Sequence, residues 1–282
     1  MRAILLLSCS DQKGLVATIS NFISDNGGNI VNLDEHVDSD EKMFFIRVEW
    51  EIGGLKFGKD ELHSKFEPLA EQFNAEWKIE FIEKKPKLAI FASKYDHVLQ
   101  EILWRYKLGE FEVEIIAIIS NHEDLTTLAE NYNIPFYHFP IDKENKIKQE
   151  MQEIDLLIKL DVDLIVLARY MQILSSEFVS KFSNKIINIH HSFLPAFIGG
   201  NPYKQAFERG VKMIGATSHF VTNDLDEGPI IAQDIVRISH KDSVKDLVRK
   251  GRDLERLVLA SALRCFLEHR VLVHKGKTIV FE

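Results

Sequence analysis

The sequence predicts an α/β protein with two domains, a ferredoxin-like βαββαβ domain followed by a doubly wound domain with a mostly parallel sheet. The first 83 residues contain four β-rich runs and two segments with helical spacing of apolar residues. From residue 88 onwards, short apolar runs alternate with amphipathic segments, as in a parallel sheet covered by helices. The length of 282 residues suits two domains of ordinary size.

The first domain is predicted to span residues 1–83. Its strands are expected at Ala3–Ser8, Ile30–Val37, Lys42–Trp50 and Trp77–Ile82, and its helices at Leu15–Asp25 and Asp60–Phe73. The NGGN turn at Asn26–Asn29 ends the first helix, because glycine tolerates the conformation that follows a last helical turn. The polar stretch Glu83–Lys87 contains Pro86 and is interpreted as the linker.

The second domain is predicted to span residues 84–282. Its strands are expected at Lys87–Phe91, Glu112–Ile119, Pro135–His138, Leu164–Ala168, Lys185–His190 and Thr217–Val221. Its helices are expected at Asp96–Tyr106, Asp124–Tyr132, Asn145–Leu160, Ser175–Phe182 and Ser243–Leu267. Ser175 is the expected N-cap of the fourth of these helices. The charged face of the last helix, with Arg252 and Glu255, is expected to lie in solvent or at an interface.

One stripe of the third of these helices is apolar, which predicts a buried face: Ile147, Met151, Ile154 and Ile158.

Composition and charge exclude several classes of partner. Lysine and arginine number 35, and aspartate and glutamate 43, so the formal net charge is −8. Such a chain is poorly suited to nucleic acid or an anionic membrane surface, and no apolar run is long enough to span a bilayer. Cys9 and Cys265 lie far apart in apolar segments. They are expected to be reduced, buried thiols in the cytoplasm, and no metal site is predicted.

Two polar groups are candidates for chemistry at the end of the predicted sheet. Asn188 and His190 are two residues apart on a strand, so their side chains share one face. An Asn amide donates to an oxyanion, and a His moves protons near neutral pH. A second strand runs into an acidic turn, in which Asp226 is the candidate carboxylate for positioning a water molecule and accepting its proton. Asp224 and Glu227 are alternatives for that role.

Three motifs in order resemble the 10-formyltetrahydrofolate-dependent formyltransferase family. They are Asn188-Ile189-His190 with Ser192–Pro195, the segment Leu225–Pro229, and the segment Leu167–Leu174. The resemblance covers about residues 87 to 280. It implies that Asn188, His190 and Asp226 are catalytic. His219 lies on the strand that leads into the acidic turn, so it is expected to orient Asp226 or His190 from there; the alternative is a structural hydrogen bond. It also implies a folate pocket formed by Met171, Gln172, Ile173, Leu174, Leu225, Glu227 and Gly228.

The formyl acceptor divides this family. The segment Phe91–Val98 stands where relatives that use a phosphorylated acceptor have a glycine-rich loop, but it contains no glycine and carries bulky Tyr95. No C-terminal nucleic-acid-binding domain is expected, so water is the remaining acceptor. The chain is then similar to the formyltetrahydrofolate deformylases. This resemblance implies cofactor-free hydrolysis of 10-formyltetrahydrofolate to formate and tetrahydrofolate, balancing one-carbon pools and supplying formate for purine biosynthesis.

Two alternatives stay open at this point. The first is a formyltransferase with another small acceptor, whose pocket would lie near Ser93–His97. The second is a sensor that binds folate without turning it over.

The first domain resembles the ACT domains, which are small amino-acid-binding regulatory modules. The positions that match their ligand site are Asp11, Gln12, Gly14, Leu15 and Asn29. The resemblance implies an amino-acid effector and a homo-oligomer formed through this domain. The alternative is that these residues only shape turns and helix ends.

Overall fold

The structure is a computed structural model that describes residues 1–83, 85–196 and 201–282. It divides into two compact units. The first contains Met1–Lys85, Glu268–Leu272 and Ile279–Glu282, and the second contains Pro86–Leu267 and Val273–Thr278. The boundary predicted between residues 83 and 84 does not include this return of the C-terminal segments to the first unit.

The first unit has the predicted βαββαβ order. Its elements are β1 (Arg2–Ser10), α1 (Leu15–Asp25), β2 (Asn29–Asp38), β3 (Met43–Glu51), α2 (Leu62–Gln72) and β4 (Glu76–Phe81), with a 3-10 turn at Lys59–Glu61. The strands form one sheet in the order β2-β3-β1-β4, and each neighbouring pair is antiparallel.

Strand β1 is buried on both faces, as its unbroken apolar run requires. Leu5 and Leu7 point into the main core of the unit, which also contains buried residues of α1 and α2. Leu6 points to the opposite face and packs with Phe45 and Phe281. The C-terminal segment therefore covers the second face of the sheet.

The second unit alternates strands and helices, as predicted. Its strands are β5 (Lys87–Ala92), β6 (Glu114–Ser120), β7 (Phe136–His138), β8 (Leu164–Ala168), β9 (Ile186–His190), β10 (Met213–Phe220) and β11 (Ile230–Arg237). Its helices are α3 (His97–Lys107), α4 (Thr126–Asn131), α5 (Lys146–Lys159), α6 (Ser176–Lys181), α7 (Pro202–Arg209) and α8 (Val244–Leu267). Two short strands, β12 (Val271–His274) and β13 (Lys277–Val280), pair with each other near the C-terminus.

The seven-stranded sheet has the order β11-β10-β9-β8-β5-β6-β7. The pairs from β9 through β8, β5 and β6 to β7 are parallel, whereas β10 is antiparallel to both β9 and β11. The predicted α/β fold class with a mostly parallel second sheet is confirmed. Helix α7 and strands β11, β12 and β13 have no predicted counterpart.

The predicted buried stripe of α5 is wrong. Ile147, Met151 and Ile158 are 72%, 54% and 53% exposed, and of the four residues only Ile154 is buried. The helix is rotated so that two carboxylates face inward beside Ile154 and Leu157, namely Glu150 and Glu153. Hydrogen bonds to both carboxylates offset their burial.

Three smaller predictions are confirmed. The Ser175 hydroxyl accepts a hydrogen bond from the Phe178 N–H and caps α6. Cys9 and Cys265 are buried and are not joined in a disulfide. Helix α1 ends at Asp25, just before the NGGN turn. In the part of the chain that the structure describes, the helices lack the length and apolarity of a membrane span.

Candidate active site

The pairing of β9 with β10 brings the first three candidate residues together. Asn188 and His190 lie at the carboxyl end of β9. The antiparallel register places His219 directly opposite Asn188, and Thr217 opposite His190. Because β10 runs antiparallel to β9, polar side chains of both strands lie close together at the carboxyl end of β9.

A tight turn after β10 carries Asp226 to the same place. Asp226 has a φ of 59°, a left-handed conformation that Asp tolerates better than most residues. A Cβ at Gly228 would lie 1.7 Å from the Phe220 carbonyl oxygen and 3.3 Å from His219 Nδ1. Glycine is therefore required at position 228 for the turn to fold back against β10.

Asn188, His190, His219 and Asp226 form one contact group. His190 Nδ1 lies 3.2 Å from Asp226 Oδ1, and His219 Nε2 lies 3.8 Å from the same oxygen. Asn188 Nδ2 lies 3.2 Å from His219 Nε2. His190 Nε2 is buried and has no hydrogen-bond partner among the described residues.

The protonation of His219 fixes the direction of its hydrogen bonds. Burial lowers the pKa of His219, so the ring is neutral near pH 7. Its Nδ1–H donates to the Phe220 carbonyl at 2.8 Å, because a carbonyl only accepts. Nε2 then accepts from the Asn188 amide, which orients the Asn188 side chain.

Asp226 remains ionised in this group. Burial alone would raise the pKa of Asp226, but its hydrogen bond with His190 and the neighbouring histidines outweigh burial and lower the pKa below its usual value. A carboxylate fixed against an imidazole is suited to hold a water molecule and to relay its proton.

A cavity of about 560 Å³ opens over this group. Of the predicted folate residues, five line it: Met171, Gln172, Ile173, Leu174 and Leu225. Glu227 and Gly228 are not among its lining residues and lie in the turn that supports Asp226. The catalytic candidates and the folate candidates therefore share one cavity of the size that holds a small organic ligand.

Another part of the cavity lining is charged, and the sequence did not predict most of its residues as part of the site. Glu255 of α8 is 1% exposed instead of lying at a surface. It accepts from Tyr203 at 2.5 Å and contacts His97 Nε2 at 2.8 Å and Arg169 Nε at 3.5 Å. Hydrogen bonding from His97, the charge of Arg169 and the Tyr203 bond outweigh burial and lower the pKa of Glu255. We call Tyr95, His97, Arg169, Tyr203, Arg252 and Glu255 the charged wall.

Tyr95 packs against two arginines of the charged wall. The guanidinium groups of Arg169 and Arg252 lie 5.1 Å and 5.6 Å from the centroid of its ring. His191 connects this wall to the catalytic group, since its ring contacts those of His190 at 5.1 Å and Tyr203 at 6.1 Å. Burial and the charge of Arg169 lower the pKa of His191 to about 4, so it is neutral near pH 7.

The candidate effector residues of the first unit do not form one exposed group. Asp11, Gln12, Gly14 and Asn29 are exposed, whereas Leu15 is buried in the core. The Asn29 side chain donates to Glu51 Oε2 at 3.3 Å. Gly14 has a φ of 93° and precedes α1, so glycine has a conformational reason to be there.

Within residues 1–83, 85–196 and 201–282, the histidine, cysteine and carboxylate side chains form no cluster of three or more that would hold a metal ion.

Comparisons with known proteins agree with this geometry. A family model described as Formyl transferase matches residues 86–263, and one described as ACT domain matches residues 3–49. The fold and the site thus define a formyl transferase domain that follows an ACT domain.

Similar proteins show which branch of the formyl transferases the chain belongs to. A formyltetrahydrofolate deformylase of Synechocystis sp. is 54% identical over 100% of this chain and 99% of the relative. One from Bacillus subtilis is 49% identical over 98% of this chain and 93% of the relative. The crystal structure of a formyltetrahydrofolate deformylase from Pseudomonas syringae pv. tomato has a TM-score of 0.97 at 44% identity, covering 100% of this chain and 95% of that chain. The chain belongs to the formyltetrahydrofolate deformylase family.

Proposed function

We propose that this protein hydrolyses 10-formyltetrahydrofolate to formate and tetrahydrofolate, and that Asn188, His190 and Asp226 carry the reaction. The observation that carries the proposal is the contact of His190 with Asp226 at 3.2 Å, beside Asn188, in one cavity with Met171–Leu174. The product formate feeds purine biosynthesis, and the reaction balances the pools of one-carbon folates.

Each catalytic residue has one task in this reaction. Asp226 holds the water molecule, whose oxygen forms the new bond to the formyl carbon. The second N–H of the Asn188 amide and the Nε2 edge of the His190 ring stabilise the oxyanion that develops. Asp226 takes a proton from the water molecule. Collapse of the intermediate then breaks the bond between the formyl carbon and N10, and Asp226 passes that proton to N10. His219 orients Asn188. Water and these side chains suffice, so we propose that no cofactor takes part.

The charged wall supports water as the acceptor. An acceptor larger than water would need a second pocket beside the formyl group. The sequence predicts that such a pocket would lie near Ser93–His97. Ser93 is buried and donates to Asn121 at 2.6 Å, and Tyr95 lies against two guanidinium groups. His97 contacts the buried Glu255. Each of these side chains is already held by partners within the protein.

The proposal is tested by formate release from 10-formyltetrahydrofolate with no added acceptor. We expect the wild-type protein to release formate and Asp226→Asn to be slower by at least about 100-fold, because the amide cannot accept the proton of water. The matched control is Asp224→Asn, which changes a carboxylate of the same turn that also lines the cavity. It should retain activity within about threefold.

Two alternatives predict other results in this assay. A transferase with a small acceptor would release little formate, and it would form the formylated acceptor once that acceptor is supplied. A sensor would bind the folate without release. Near-normal turnover by Asp226→Asn would contradict the assignment of the carboxylate, whatever the acceptor is.

We propose three further properties from the ACT domain and the composition. An amino-acid effector would bind near Asp11, Gln12 and Asn29, and the protein would form a homo-oligomer through this unit. Buried cysteines that are not joined in a disulfide support a reducing, cytoplasmic location. Calorimetric titration with amino acids and light scattering test the first two, and a monomer that binds none of them would contradict both.

A further inference from the structure

The segment Tyr170–Ser175, which we call the cavity segment, forms one side of the cavity. It follows β8 and precedes α6, and it is neither helix nor strand. Met171 and Ile173 are more than half exposed at the cavity rim. A segment without regular structure needs other contacts to hold the shape that a ligand meets.

Buried side chains hold the cavity segment at three points. The Tyr170 hydroxyl donates to Glu153 Oε1 at 3.2 Å. The Met171 N–H donates to the Ser93 hydroxyl at 3.2 Å. The Ser175 N–H donates to both carboxylate oxygens of Glu150, at 3.2 Å and 3.3 Å. Two of the three contacts come from one turn of α5 and bracket the segment at its ends.

Glu150 and Glu153 are the inward-facing carboxylates that contradict the predicted stripe of α5. Glu153 is completely buried, and its Oε2 has no hydrogen-bond partner among the described residues. Helix surfaces rarely bury two acidic side chains when exposed apolar residues lie on the same helix. Core packing alone would favour the opposite rotation of α5. The contacts of Glu150 and Glu153 with the cavity segment explain the rotation that the helix has.

We infer that Glu150 and Glu153 are positioning residues for the folate, which hold the cavity segment in its binding shape through Ser175 and Tyr170. This inference rests on the proposed function, because it takes the cavity segment to contact the substrate. Neither carboxylate touches the catalytic group, so the expected effect is on substrate binding and not on the chemical step.

The surroundings of Glu153 determine its protonation state. The titratable groups against Glu153 are Tyr170 from the cavity segment and Glu150 from its own helix, and Lys146 reaches Glu150 at 3.8 Å. Burial raises the pKa of Glu153 to about 8, so the group is neutral at pH 7 and ionises as the pH rises. Burial also raises the pKa of Tyr170 well above its usual value, so its hydroxyl remains a donor.

The test measures KM and kcat of formate release at about pH 7 in three proteins, the wild type, Glu153→Gln and Glu153→Leu. We expect Glu153→Leu to raise KM about tenfold, because it leaves the Tyr170 hydroxyl without its acceptor, and to change kcat less than about threefold. Glu153→Gln keeps an acceptor for Tyr170, so its KM should stay within about threefold of the wild-type value.

A protein that merely lost stability would show the same KM until it unfolded, and thermal melting identifies that case. A Glu153→Leu protein with the wild-type KM, or a Glu153→Gln protein whose KM rises as far as that of Glu153→Leu, would overturn the inference. If the wild type releases no formate, the proposed function fails instead. Calorimetric binding of tetrahydrofolate to the same three proteins then tests the positioning role by itself.

Discussion

At the scale of single residues, Gly251 separates two opposing effects of adding a methyl group. Alanine is better than glycine in a helix interior by about 1 kcal/mol. A Cβ at position 251 of α8 would, however, lie 2.1 Å from the Tyr203 hydroxyl oxygen and 2.2 Å from Tyr203 Cζ. Tyr203 would have to move and lose its bond to Glu255. We expect Gly251→Ala to lower the free energy of unfolding by about 2 kcal/mol in urea denaturation, opposite to helix propensity.

The control is the same change in a Tyr203→Ala background. Once the ring is gone, Gly251→Ala should be neutral or stabilising, so the double-mutant cycle isolates the steric contact. A stabilising Gly251→Ala in the wild-type background would show that Tyr203 does not pack against α8 as described.

Some residues of the site could be predicted from the sequence, and others could not. Asn188 and His190 could be paired because strand alternation places them on one face. By the same rule His191 would face away from His190, but β9 ends at His190, and His191 also lines the cavity. Glu255 resembles any surface glutamate in sequence. Its burial depends on His97, Arg169 and Tyr203, which are distant along the chain, so local patterns do not reveal it.

At the scale of elements, Thr217 of β10 ties the loop after β9 to the sheet. Its hydroxyl accepts from the Leu194 N–H at 3.0 Å and from Gln233 Nε2 at 2.9 Å, and it donates to the Ser192 carbonyl at 2.9 Å. The side chain is completely buried. Thr217→Val keeps the shape but leaves these partners unsatisfied. We expect it to lower the free energy of unfolding by about 3 kcal/mol and to slow formate release, because the loop begins next to His190.

Thr217→Ser is the matched control, since it keeps the hydroxyl and removes only a methyl group. It should cost about 1 kcal/mol and leave turnover close to that of the wild type. Equal losses in the two variants would mean that packing of the methyl group, and not the hydroxyl, connects the loop to the sheet.

Most elements could be predicted because their burial follows a simple period. Helix α3 buries four apolar residues with helical spacing, Val98, Leu99, Ile102 and Leu103. Helix α5 breaks the rule because two carboxylates with specific partners displace apolar side chains from the buried face. Amphipathic patterns assume that acidic side chains lie in solvent, so they fail where a buried hydrogen bond satisfies one.

At the scale of the whole molecule, the sequence contained a sign that the first unit needs more than its first 83 residues. The run Ala3–Leu7 is continuously apolar, whereas a sheet with one solvated face has alternating residues. The covering segment comes from the far end of the chain. Arg47 of β3 donates to the carbonyls of Glu268 and His269 at 3.1 Å and 3.2 Å, and Phe281 lies against Leu6 and Phe45. Local patterns cannot reveal this pairing because it joins positions more than 200 residues apart.

Phe281 tests whether this distant segment stabilises the first unit. Its side chain is 2% exposed and packs on the face of β1 opposite the helices. We expect Phe281→Ala to lower the free energy of unfolding of this unit by about 3 to 5 kcal/mol, through lost burial and the cavity left behind. Hydrogen exchange of the β1 and β3 amides measures the loss, and Phe281→Leu should restore most of it by refilling the space. Unchanged exchange in Phe281→Ala would mean that the C-terminal segment lies on the sheet without supporting it, and that the first 85 residues supply the stability themselves.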